Sequence, residues 1–150
     1  MSNVASKRIN IVSIKMVNVS SFLYQTCTIS SPKDAYEMIK DQLQDLDREQ
    51  FIIACLNTKN EPTNISVVSV GTLNKAIVHP REDFKEAIKR SAASVICAHN
   101  HPSGDPTPSE QDIGLTHRLY EAGELIGIKV LDHLIIGDDQ FVSLKEKGYL

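Results

Sequence analysis

An α/β or α+β sandwich, with helices against one mixed and partly curved sheet, is the fold this sequence predicts. Strand-type and helical segments mix along the chain without the regular alternation of a purely parallel fold. The 150 residues are 41% hydrophobic and 23% charged, enough for one domain to bury a core without staples. No repeat, low-complexity tract or internal linker divides them.

Residues 1–8 read as loose. Residues 9–20 alternate imperfectly, with Ile9 and Ile11 set against Val12, Ile14 and Met16, and suggest a strand at a sheet edge or one pairing two copies in a homodimer. Ser31-Pro32 opens a helix whose apolar stripe is Ala35, Met38, Ile39, Leu43 and Leu46. Residues 51–56 are apolar on both faces and read as a central strand. Thr58 to Pro62 is a hairpin turn into a strand over 65–70. His79-Pro80 starts a second helix that turns Phe84, Ala87, Ile88 and Ala92 inward and closes at Lys89-Arg90, where cations suit the dipole. A buried strand over 94–99 follows, then a helix over roughly 108–123. Residues 129–136 and 140–142 form a closing hairpin around Gly137-Asp138-Asp139.

The chemistry gathers where the 94–99 strand ends. His99 and His101 are two apart, so an extended backbone carried through to His101 turns both rings to one point. Residues 102–108 hold three prolines and a glycine and continue neither strand nor helix. Thr107-Pro108-Ser109-Glu110 reads as a helix start with Thr107 as N-cap, which puts Ser109 and Asp112 on one helical face. Two imidazoles and a carboxylate are a three-ligand set that zinc favours in catalytic sites, with one position left open. Cys97 lies further back on the same side of the strand and reads as core beside the site. Of the other histidines, His133 in its apolar strand reads as a satisfied buried side chain, with a role in orienting a ligand as the alternative. His79 caps the second helix and His117 is on the surface.

Composition narrows the partners. Net charge is −3, the 16 Lys and Arg are scattered, and only 5% of residues are aromatic, so no strong nucleic-acid binding is expected from this domain alone. No run of eighteen apolar residues and no signal-peptide pattern occurs, so no membrane partner is expected. Cys27, Cys55 and Cys97, odd in number and set in apolar strands, read as reduced thiols of a cytoplasmic protein.

The spacing His99-x-His101, seven residues, Ser109, two residues, Asp112 resembles the JAMM signature of the JAB/MPN metalloprotease superfamily without a gap. The fuller run from His99 to Asp112 is similar to the bacterial RadC branch. So are Gly71-Thr72-Leu73, Val78-His79-Pro80-Arg81-Glu82 and Leu131-Asp132-His133-Leu134-Ile135-Ile136-Gly137. The resemblance covers roughly Ser31 onward, so it divides the chain into an N-terminal strand or arm over 1–30 and a RadC-like domain over 31–150. It implies a JAB/MPN (cytidine-deaminase-like) fold, Zn2+ held by His99, His101 and Asp112, and an upstream glutamate as base. Arg48-Glu49 before an apolar strand matches the RadC pattern, which gives that role to Glu49; Glu61, in the hairpin turn, is expected to face solvent. Ser109 would donate a hydrogen bond to an oxyanion, or else only cap its helix.

Three functions compete. The first is a zinc-dependent hydrolase of a peptide or isopeptide bond, acting on a peptide or protein substrate. The second is a DNA-repair or mobile-element accessory, with the same site used as a metal-dependent nuclease. The third is a non-catalytic interaction module, set against by the presence of every motif residue.

Overall fold

Residues 50–56 pair on both sides, and that central placement organises the sheet. The computed structural model describes residues 5–24, 28–71 and 79–150. Five strands, β1 (Gln50–Leu56), β2 (Pro62–Val70), β3 (Ser94–Asn100), β4 (Lys129–Ile136) and β5 (Phe141–Ser143), form one sheet in the order β2-β1-β3-β4-β5. Only β3 and β4 run parallel; the other pairs are antiparallel. The parallel pair is joined by α4 (Glu110–Ile126), which packs on one face of the sheet. On the opposite face lies α1 (Pro32–Leu43), capped by Ser31, whose hydroxyl accepts from the Asp34 amide. Its predicted stripe is the buried one: Ala35, Met38, Ile39 and Leu43 are all buried, and Leu46 packs beside them. The mixed sheet between helices is thus the architecture expected from the sequence.

Several local expectations are corrected. Residues 5–24 carry no strand where one was expected over 9–20, and Ile9, Ile11, Val12, Ile14, Val17 and Val19 are exposed. An alternating pattern specifies a strand only when a neighbouring edge supplies its hydrogen bonds, and no described strand pairs with this segment. The second helix is broken into α2 (Pro80–Asp83) and α3 (Lys85–Lys89) at Phe84, which is buried with Ala87 while Ile88 is exposed. His79 holds the N-cap position of α2 but makes no side-chain cap bond; His117 is exposed, as expected.

At α4 both ends move. Ser109, not Thr107, is the N-cap: the Ser109 hydroxyl accepts from the Asp112 amide, whereas the Thr107 amide and hydroxyl both donate to the Asp105 carboxylate. The helix also runs past Gly123 to Gly127, which ends it in the left-handed region at φ 79°. Gly123 serves close packing instead: a Cβ there would strike the Ile128 carbonyl and crowd Val130. Cys27, residues 1–4 and residues 72–78, which include part of two RadC-like motifs, lie outside the described residues.

Candidate metal centre

β3 ends in Asn100, and the chain continues the sheet's bonding one step further, since the His101 amide donates to the Ile136 carbonyl at 2.9 Å. His99 and His101 therefore face the same side, with their Nε2 atoms 3.2 Å apart. The intervening loop is tied down on its way to α4. The Gly104 amide donates to the His101 carbonyl, and the Gly104 carbonyl accepts from the Asp138 amide and from Gln140. Gly104 sits at φ +90°, a conformation open to glycine, and a Cβ there would collide with Asp138.

The loop delivers Asp112 to the histidines through a capping box. The Ser109 hydroxyl accepts from the Asp112 amide at 3.1 Å, and the Ser109 amide donates to Asp112 Oδ2 at 2.9 Å. Asp112 Oδ1 lies 3.2 Å from His99 Nε2, and Oδ2 lies 3.2 Å from His101 Nε2. These three side chains are the one group of His, Cys, Asp and Glu able to hold a metal among the described residues. Cys97 is not in it; the thiol is fully buried, which pushes its pKa well above the ordinary value and keeps it protonated.

The donor set fits a cation. His101 Nδ1 donates to the Asp105 carbonyl at 2.9 Å, since a carbonyl can only accept, and this leaves Nε2 as a lone pair. Tetrahedral ligands about 2.0–2.1 Å from zinc sit roughly 3.3 Å from one another, close to the 3.2 Å separations seen here. Burial pushes the Asp112 carboxyl up, but His101, His99 and the Ser109 amide outweigh it and hold it well below the usual carboxylate range. The start of α4 also favours the anion. Asp112 in turn raises the His101 ring above the ordinary histidine value against burial, with smaller contributions from the Asp105 carbonyl and from Glu49.

Glu49 and Glu61 part company here. Phe51 pairs with His99, so the start of β1 lies beside the cluster, whereas Leu56 pairs with Ser94 at the far end. Glu61 belongs to that far end. It is half-buried, not solvent-facing, and its carboxylate accepts from Asn57 at 3.1 Å. Glu49 is half-buried at the near end, in an open cleft of about 520 Å³ lined also by Asp47, Arg48, Gly71 and Pro102.

Sequence reasoning missed Asn100, the residue between the two histidines. Its side-chain amide donates to the Arg48 carbonyl at 2.9 Å and accepts from the Gln50 amide at 2.7 Å. The Glu49 carbonyl accepts from the Gly71 amide at 2.8 Å. Backbone on both sides of Glu49 is thereby clamped to the strand that carries His99. His133 is the buried, hydrogen-bonded side chain expected from the sequence, and its Nε2 lies 2.8 Å from His99 Nδ1. Burial pushes the His133 ring well below the ordinary histidine value.

The RadC-like JAB domain family matches residues 29–149. A UPF0758 protein of Bacillus velezensis is 60% identical over 124 residues, covering 83% of this chain and 54% of that protein. The UPF0758 protein YsxA of Bacillus subtilis is 56% identical over 136 residues, covering 91% of this chain and 57% of that protein. A UPF0758 protein of a Geobacillus strain is 59% identical over 122 residues. The chain spans about half the length of these curated relatives.

Proposed function

The chain belongs to the RadC-like JAB domain family, and on that premise we propose that it is a zinc-dependent hydrolase of a peptide or isopeptide bond. The observation that carries the reading is the convergence of His99 Nε2, His101 Nε2 and an Asp112 oxygen beside a cleft holding one half-buried carboxylate. Two imidazoles and one carboxylate match zinc and leave a coordination position open. When bound, zinc supplies Lewis acidity, polarising a carbonyl and making water easier to deprotonate.

The chain's own residues do the rest. Glu49 takes a proton from water at its carboxylate and returns it to the departing nitrogen. Asn100 and Gly71 keep that carboxylate in place by holding its backbone. The Ser109 cap uses an oxygen lone pair, so the same hydroxyl can donate to the oxygen that gains charge. A nuclease reading is weaker. Two-metal chemistry needs further clustered carboxylates, and a single converging group exists among the described residues. In this reading the partner is a peptide or protein, with duplex DNA bound weakly.

Elemental analysis of the purified chain tests it, run with cleavage assays on peptide, isopeptide and duplex DNA, each with and without chelator. About one zinc per chain, lost in Asp112→Asn, and chelator-sensitive amide cleavage are expected. Absence of zinc from the wild-type chain, or chelator-sensitive cleavage of DNA alone, would overturn it.

A further inference from the structure

β4 does not run in simple register beside β3. Val95 pairs with Val130, but Ile96 pairs with Asp132, so Leu131 is an extra residue bulged out of the ladder. One extra residue exchanges the two faces of a strand. Before the bulge Val130 faces the α4 side; after it Leu134 and Ile136 join the α1 side, and His133 comes to lie against His99. Asp132 fastens this arrangement: its carboxylate accepts from the His133 amide at 2.7 Å, the Ser143 hydroxyl at 2.6 Å and the Lys145 amide at 3.2 Å. Phe51 packs edge-on to the His133 ring at 5.5 Å.

Three contacts then run in a line. The Thr116 hydroxyl donates to the Asp112 carbonyl at 2.8 Å, and Thr116 Oγ1 lies 2.6 Å from His133 Nδ1. His133 Nε2 lies 2.8 Å from His99 Nδ1. Their direction follows by counting protons. A carbonyl only accepts, so the single hydroxyl proton of Thr116 is committed to Asp112. Thr116 Oγ1 must then accept, which places a proton on His133 Nδ1. A neutral imidazole has one N–H, so His133 Nε2 accepts, and the donor is His99 Nδ1.

We infer that Thr116 and His133 are positioning residues that hold the His99 proton on Nδ1 and so present a bare Nε2 lone pair to the metal. The inference rests on the metal-site reading above and adds to it. The line also begins at the Asp112 backbone, so the helix carrying one ligand sets the tautomer of another. The Asp105 carbonyl does for His101 what His133 does for His99.

The test is zinc affinity, measured by chelator competition on the full chain, for wild type, His133→Phe, His133→Gln and Thr116→Val. Apo unfolding midpoints and histidine ¹⁵N shifts of the zinc-loaded wild type are measured in parallel. His133→Phe and Thr116→Val should weaken zinc binding by about 10–100-fold. His133→Gln, whose amide oxygen can accept from His99, should recover part of the loss. His133 should carry its proton on Nδ1. Thr116→Val is close in shape to the native side chain and carries the comparison if His133→Phe fails to fold. Wild-type zinc affinity in a folded Thr116→Val, or a His133 proton on Nε2, would overturn the inference alone. A wild-type chain that takes up no zinc would overturn the metal reading with it.

Discussion

On the α1 face of the sheet, Ile52, Ala54, Leu56, Ile96, Ala98, Leu134 and Ile136 form a continuous apolar layer. The α4 face is built from the alternate residues of the same strands, and Phe51, Ile53, Cys55, Val95 and Cys97 make it equally apolar as far as the end of β3. There it turns polar, with His99, His133, Thr116 and Asp112 all buried within a few ångströms of one another. A buried polar group without a partner costs a few kcal/mol, and each of these four has one. The α1 face is apolar structure and the end of the α4 face holds the proposed site, so a change to one should leave the other's readout in place.

The sharpest break should come on the polar end. Glu49→Gln is nearly isosteric and removes only the proposed base. Turnover should fall by about 10²–10⁴-fold while zinc content stays at the wild-type level. Activity that survives there would move the base elsewhere. On the apolar face Ile39→Ala should behave in reverse. Ile39 is fully buried in α1, and its truncation should cost about 2–5 kcal/mol by urea unfolding, with zinc per folded chain unchanged. Lost zinc at full occupancy of the fold would show that the two faces are coupled.

The smallest effect is a polar group on the α4 side that has no such satisfaction. Asp83 in α2 is buried, and neither carboxylate oxygen meets a hydrogen-bond donor among the described residues. Burial pushes its pKa up to about 7, against the pull of Arg118. An unfolded aspartate titrates near 3.9, so between roughly pH 4 and 7 the folded chain binds more protons than the unfolded one. Stability must therefore fall as pH rises through that window. Asp83→Asn lacks this fall and should be more stable than wild type by about 1–3 kcal/mol at pH 8, with the gap closing toward pH 4. Parallel pH profiles for the two proteins would show that Asp83 is already paired.

Much of the cluster's geometry is legible in the sequence. His99 and His101 share a face because a strand has period two, and the proline- and glycine-rich loop had to turn before Asp112 could return. The choice of Glu49 over Glu61 rested on a resemblance and on the hairpin turn around Glu61; the register of β1 against β3 puts the Glu49 end of β1 beside the cluster and the Glu61 end far from it. The reading of Thr107 as a cap failed for a physical reason. Thr107 and Ser109 both offered an acceptor oxygen, and it is the Ser109 hydroxyl that meets an amide of α4, that of Asp112, whose carboxylate in turn accepts from the Ser109 amide.

By itself the sequence determined the periodicities, and with them the five strands of the sheet and the buried stripe of α1. It also determined the spacing of His99, His101 and Asp112, because this depends on residues near in the chain. The tertiary structure alone decided where His133 points, since one bulged residue in β4 exchanges the faces of everything after it. It alone joined Asn100 to the backbone around Glu49, a contact across about fifty positions of chain. It also left residues 5–24 without a strand, because backbone hydrogen bonds need a neighbouring edge that no alternation within the segment can supply.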